Sequence, residues 1–149
     1  KTAYEIMPSL VGSEMCIRDS DVSDAGDAFP LDFMELPLLL VRDHDHRVRV
    51  FHNVCRHRGH LLVAEPCQLD RSLRCPYHSW TYALDGSLIR TPNIGGAGVH
   101  QVEGFDLSGL GLVQVRCAVW HDLVFINLDG SAGPFDEFIA PLEKRWSKL

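Results

Sequence analysis

Short apolar runs separated by polar turns organise most of this chain. Residues 36–43 begin with an almost unbroken apolar run, Leu36-Pro37-Leu38-Leu39-Leu40-Val41, and lead into the polar turn Asp43-His44-Asp45-His46. Residues 47–54 then alternate charged and apolar side chains, the period of a half-buried strand. Together these segments predict a hairpin with one of the longer turns. Leu61-Leu62-Val63 is a short apolar return, residues 65–70 a loop carrying Pro66, and residues 72–75 a short strand. Residues 80–84 and 87–90 flank Asp85-Gly86, a two-residue hairpin signal. A Gly-rich stretch with one Pro follows over residues 91–98, and residues 110–120 and 123–128 form another strand pair around His121-Asp122. Near the end, Phe135, Phe138, Ile139 and Leu142 recur at helical spacing, with Pro141 expected to weaken that helix or end its first half. The pattern predicts an all-β fold, a small sandwich or barrel with a short C-terminal helix.

The N-terminal stretch departs from this pattern. Residues 1–20 show neither sustained alternation nor a helical stripe, and residues 9–20 resemble translated sequencing-adapter DNA. They are expected to be a non-native or disordered segment that packs poorly and has no role. Residues 21–30 are acidic, small and turn-like, and the domain proper is expected over residues 21–149.

Composition narrows the function classes. A chain of 149 residues with 46% hydrophobic residues can bury one core. Its formal charge of −6 gives no support for nucleic acid or an anionic membrane as partner. The longest apolar run, residues 38–41, is far too short to cross a bilayer, so no membrane association is expected. Of five cysteines, Cys16, Cys67 and Cys117 show no disulfide spacing. Free thiols in a reducing cytoplasm are the expectation.

The remaining two cysteines carry the chemistry. Cys55-Arg56-His57 and Cys75-Pro76-Tyr77-His78 each offer one thiolate and one imidazole, with 17 residues between His57 and Cys75. Two sulfur and two nitrogen donors suit a [2Fe–2S] cluster of Rieske type, in which two His replace two Cys on one iron. Neutral imidazoles raise the potential from roughly −400 mV, the plant-type value, into a span of about −150 to +300 mV. Cys55, His57, Cys75 and His78 are therefore the candidate metal ligands. Gly59 permits an unusual backbone angle, Pro76 stiffens the second loop, and Tyr77 and Trp80 are expected to cover the site against water. Arg56 and Arg58 are candidates for meeting an acidic partner. A structural zinc site is the remote alternative. His44 and His46 are expected to be solvated, and His52, His60, His100 and His121 to lie outside the ligand set.

The runs Phe51-His52-Asn53-Val54-Cys55-Arg56-His57-Arg58-Gly59 and Cys75-Pro76-Tyr77-His78-Ser79-Trp80-Thr81-Tyr82-Ala83-Leu84-Asp85-Gly86 resemble the N-terminal Rieske domain of ring-hydroxylating (non-haem iron) oxygenase α subunits. Respiratory Rieske proteins carry an extra disulfide-linked Cys in each loop; here the matching positions are His60 and Tyr77. The resemblance implies an oxidoreductase fragment of aromatic hydrocarbon catabolism. It would pass electrons from a reductase or ferredoxin to mononuclear Fe(II) in a catalytic domain absent from this chain. It further implies neighbouring α subunits in a trimer and no catalytic residue in the fragment itself. A stand-alone Rieske ferredoxin is the alternative.

Overall fold

A computed structural model of the protein describes residues 14–147. Ten strands and one α-helix are present among them. They are β1 (Glu14–Arg18), β2 (Asp27–Phe33), β3 (Leu36–Arg42), β4 (Val48–His52), β5 (Cys67–Gln68), β6 (Ser72–Arg74), β7 (Thr81–Ala83), β8 (Leu88–Arg90), β9 (Gln114–Trp120), β10 (Leu123–Asn127) and α1 (Phe135–Trp146). Seven strands form one antiparallel sheet in the order β1-β10-β9-β4-β3-β2-β5, and β6-β7-β8 form a second. The predicted all-β class with a C-terminal helix is the fold observed.

The apolar run of β3 has a simple cause: it is buried on both faces. Leu39 and Val41 join Phe51, Leu73, Trp80, Tyr82 and Leu88 in a core between the large and small sheets. Leu38 and Leu40 point the other way, to Ile17, Val22, Val50, Val115, Val124 and Ile126. This second core draws side chains from both ends of the large sheet, so the sheet curls on itself. A third cluster seats Ile139 of α1 on Trp120 and Phe125.

Four local features differ from the sequence-based expectations. Residues 27–33, expected in large part to be turn, form β2. Pro30 pairs with Leu39 there, and it is tolerated because β5 covers only Asp27 and Ala28 and leaves the rest of β2 an open edge. The small β5 likewise sits inside the loop expected at residues 65–70. The Asp85-Gly86 hairpin has a three-residue loop with a bulge: Ala83 N–H donates to Ser87 O, and the register shifts beside Tyr82. Gly86 is required there, since its φ is +91° and a Cβ would lie 2.5 Å from Phe51 Cε1. Finally, α1 runs unbroken through Pro141. Contacts on both sides offset the lost hydrogen bond: Ile139 is buried before the proline, and Trp120 Nε1 donates to Glu143 Oε1 at 3.1 Å after it.

The expectation of poor packing for residues 1–20 fails at its C-terminal end. Residues 14–18 pair with β10 over five positions, Ile17 is buried, and the Asp19 carboxylate meets Arg42 at 3.2 Å. An unpaired β10 edge offers main-chain donors and acceptors to any extended segment, whatever its sequence. Residues 1–13 lie outside the described residues.

Candidate metal centre

Two loops reach the same place from different sheets. The first leaves β4 and closes at an isolated bridge, Val54 to Leu61. Its root is Asn53, 1% exposed, whose side chain donates to Val63 O at 2.7 Å and accepts Val63 N–H at 3.0 Å. The β3–β4 turn, at the far end of β4 from the loop, is held by Asp43, which accepts Asp45 and Arg47 N–H and pairs with Arg49 at 2.6 Å. The second loop is the turn between β6 and β7 of the small sheet.

The loops share a backbone. Cys55 N–H donates to His60 O at 2.8 Å, and Gly59 N–H to Cys55 O at 2.9 Å. Cys75 N–H donates to Trp80 O at 2.8 Å, and Ser79 N–H to Cys75 O at 3.0 Å. Both need a left-handed residue four positions after the Cys: Gly59 has φ +68° and Ser79 φ +62°.

This geometry sorts the donors by type. The Cys55 and Cys75 thiols are buried next to one another, within hydrogen-bonding reach. The His57 and His78 rings lie edge to face with centroids 4.7 Å apart. No three His, Cys, Asp or Glu side chains among the described residues converge on one point for a single ion. Two thiols on one side and two imidazoles on the other is the donor arrangement of a two-iron cluster.

Electrostatics agree with a bound group between them. His57 Nδ1 is buried with no hydrogen-bond partner among the described residues, an orphan that a metal bond would satisfy. Burial pushes the His57 imidazole below its ordinary pKa, with the His78 and Arg58 charges adding to the effect, so the ring is held neutral as a ligand must be. Burial raises the Cys75 thiol, opposed by hydrogen bonds from the His78 and Tyr77 backbone N–H groups. A burial-raised thiol with no cation beside it needs a metal to become thiolate.

Trp80 is 4% exposed and stacks on His57 at 4.8 Å and 9°. Tyr77 stays 59% exposed, lying between His60 at 5.5 Å and His78 at 3.7 Å, so it shields one ring rather than closing the site. Pro76, Arg56 and Arg58 are exposed, as are His44, His46 and His60. His100 accepts Asn93 N–H, and His121 packs on Trp120, both outside the ligand loops. Cys67 and Cys117 are free thiols; the Cys16 side chain lies outside the description.

One neighbour was not singled out from sequence. Tyr82 is fully buried, with its hydroxyl 3.2 Å from Cys55 Sγ. Arg56 N–H donates to the phenol oxygen at 3.0 Å, leaving the phenol hydrogen for the sulfur. Burial and then the Cys55 hydrogen bond raise its pKa far above the ordinary value, so it stays a donor. In sequence it was one apolar-facing position in an alternating strand, with no signal beyond its place seven residues after Cys75.

Comparison with known proteins decides the family. The Rieske [2Fe-2S] domain family matches residues 13–105. The chain belongs to this family. A carnitine monooxygenase oxygenase subunit of Escherichia coli K12 is 35% identical over 121 residues, 80% of this chain and 31% of the relative. A glycine betaine monooxygenase oxygenase subunit of Pseudomonas aeruginosa is 34% identical over 83% of this chain and 27% of the relative. The α subunit of a 2-aminobenzenesulfonate 2,3-dioxygenase from an Alcaligenes species is 35% identical over 80% and 30%. The chain thus spans less than a third of the length of these relatives. Among solved structures, the quaternary ammonium Rieske monooxygenase CntA with γ-butyrobetaine superposes with a TM-score of 0.79 at 28% identity, covering 93% of this chain and 39% of that one. Naphthalene 1,2-dioxygenase gives 0.72 at 26%, covering 85% and 28%. The Rieske domain and its [2Fe–2S] cofactor are therefore as expected. The narrower expectation of aromatic hydrocarbon catabolism is not carried by these relatives, two of which are named for carnitine and glycine betaine. Among the described residues, no helix is long and apolar enough to cross a membrane.

Proposed function

We propose that this chain is the electron-transfer portion of a Rieske oxygenase α subunit, with Cys55 and Cys75 holding one iron of the cluster and His57 and His78 the other. The observation that carries the ligand assignment is the pairing of like donors around the orphaned Nδ1 of His57. When bound, the cluster supplies a one-electron store. The two His rings present their edges to a groove of about 410 Å³, while the two Cys lie in the core. Electrons therefore exchange at the His side. A reductase or ferredoxin delivers them, and a mononuclear Fe(II) centre held by the catalytic domain receives them. The fragment alone does not hydroxylate.

The superposition on oxygenases extends over 93% of the chain, which favours this reading over a free-standing ferredoxin. One of the solved relatives is described with inter-subunit electron transfer, which supports an assembly in which neighbouring α subunits exchange electrons, here taken as a trimer. The relatives are named for different substrates at nearly equal identity, so substrate choice resides in the catalytic domain. The free Cys67 and Cys117 thiols support a cytoplasmic location. Residues 1–13 have no role in electron transfer, and residues 14–18 add only an edge strand to the unit of residues 21–149. Removing residues 1–13 is expected to leave cluster content unchanged.

Anaerobic reconstitution with iron and sulfide tests the reading. The expected product is brown, contains equal iron and acid-labile sulfide, and gives a paramagnetic resonance signal after dithionite. A colourless protein with one tightly bound zinc overturns it. Sequencing the gene downstream of Leu149 separates α subunit from carrier: an early stop favours the carrier.

A further inference from the structure

The two ligand loops belong to different sheets, the first leaving β4 of the large sheet and the second joining β6 to β7 of the small one. Each loop closes on itself: among the described residues, no main-chain hydrogen bond links residues 55–60 to residues 75–80. Rings span the gap instead. His57 meets His78 at 4.7 Å and Trp80 at 4.8 Å, and His60 meets Tyr77 at 5.5 Å with a tilt of 45°. The first two of these contacts use His57, a proposed ligand. His60 and Tyr77 are the pair in which neither side chain is one.

Both residues are tied to the donors of their own loop. His60 O accepts Cys55 N–H, and the next residue, Leu61, bridges back to Val54, so the backbone at His60 is closed on both sides. Tyr77 N–H donates to the Cys75 sulfur, and the Tyr77 ring lies 3.7 Å from the His78 ring. Contact between His60 and Tyr77 therefore joins the main chain that carries Cys55 to the residue that touches both donors of the second loop. Both side chains are exposed, so this contact lies on the solvent side, where loops rooted in separate sheets part most on opening. Tyr77 and His78 also wall the groove, with Pro92 and Asn93 facing them, so a Tyr77 ring that swings away changes the approach to His78. A tilted ring pair contributes modestly to a whole fold, but the local opening of two short loops is governed by contributions of that size.

We propose that His60 and Tyr77 are positioning residues that clasp the two ligand loops across their outer rim, setting how readily the site opens and where the His78 ring lies. This rests on the ligand assignment above. The clasp supplies no ligand; it holds the two halves of the ligand set in register.

Cluster release from the anaerobically reconstituted full chain tests this. A ferrous-iron chelator in excess bleaches the centre, and the absorbance decay gives the release rate. His60→Ala and Tyr77→Leu are each expected to release iron about two- to fivefold faster than the parent. The double variant is expected to be no faster than Tyr77→Leu alone, because one contact has been removed twice. His60→Phe and Tyr77→Phe keep a ring and stay at the parent rate, which also separates the clasp from any ligand role of His60. Paramagnetic resonance of the reduced centre supplies the second readout: its lines broaden in His60→Ala, as His78 samples more orientations, and narrow again in His60→Phe. A His60→Ala chain that takes up no cluster while His60→Phe does so supports the clasp as well. Release rates that are alike in His60→Ala and His60→Phe, or single effects that multiply in the double variant, overturn the clasp and leave the ligand set standing. A parent chain that takes up no cluster overturns the ligand assignment and the clasp with it.

Discussion

Residues 55–60 and 75–80 close with the same two main-chain hydrogen bonds, yet place His differently: two positions after the Cys in the first loop, three in the second. In the first loop the ring is tucked under Trp80, with Nδ1 buried. In the second the ring lies beside exposed Tyr77, on the groove. Their supports differ as well. The first loop hangs from the end of the central strand β4 by Asn53 and one bridge, while the second is continuous with β6 and β7. The thiols are served differently too, Cys55 by the Tyr82 hydroxyl and Cys75 by backbone N–H groups. The repeated backbone therefore sets where each Cys sits, and the offset of the His lets two copies of one loop face each other with unlike donors on opposite sides.

The strongest way to break that comparison is to make the offsets equal. His57→Ala combined with Arg58→His moves the first imidazole one position along the loop. Cluster content by iron and sulfide analysis is expected to fall to background, as in His57→Ala alone, because position 58 is exposed and does not lie under Trp80. Recovery of the cluster would mean the offset is immaterial.

Cutting the root of the first loop comes next. Asn53→Ala leaves the Val63 N–H and C=O buried without partners, a loss of about 2–4 kcal/mol in chemical denaturation. The second loop has no equivalent single support, so an equally large loss from an exposed second-loop residue such as Pro76→Ala would contradict the asymmetry.

The β3–β4 hairpin that leads into the first loop adds a pH signature. Burial alone would raise the Asp43 carboxyl, but the Arg49 hydrogen bond and charge and the Arg47 and Asp45 N–H groups hold it below its usual value. Its contribution is therefore present above the unfolded carboxylate pKa and is lost as pH falls through the lower folded value. Asp43→Asn is expected to cost about 1–2 kcal/mol near neutrality, and the gap to the parent should close below about pH 4. A gap that stays constant down to acid pH removes the carboxylate from the account.

The smallest effect concerns the unequal thiols. Tyr82→Phe deletes the hydroxyl at Cys55 and is expected to lower the reduction potential by up to about 60 mV, a tenfold change for one electron, with the cluster retained. No shift would place that hydroxyl outside the tuning of the centre.

The proposed ligand set was legible in the sequence because thiol and imidazole at short, unequal spacings have few other uses. The hairpins and α1 were legible because alternation and helical spacing report burial directly. Strand β2 was hidden by Asp27, Asp32 and Pro30, residue types that speak against a strand unless its neighbour is short, and that neighbour is set by a distant segment. Tyr82 was hidden for a related reason: an aromatic in an alternating strand looks like core, and its reach to Cys55 exists only once two sheets meet. The facing wall at Pro92 and Asn93 had no signature at all, since it is a loop brought across by tertiary packing.

The docking of β1 on β10 has a consequence for how such a domain tolerates rearrangement of its gene. Five residues attach along the rim through peptide groups, and of the side chains described there Ile17 alone enters the interior. An extended segment of unrelated origin can thus be absorbed there through its peptide groups. The rim behaves as a socket that checks extended backbone before it checks ancestry.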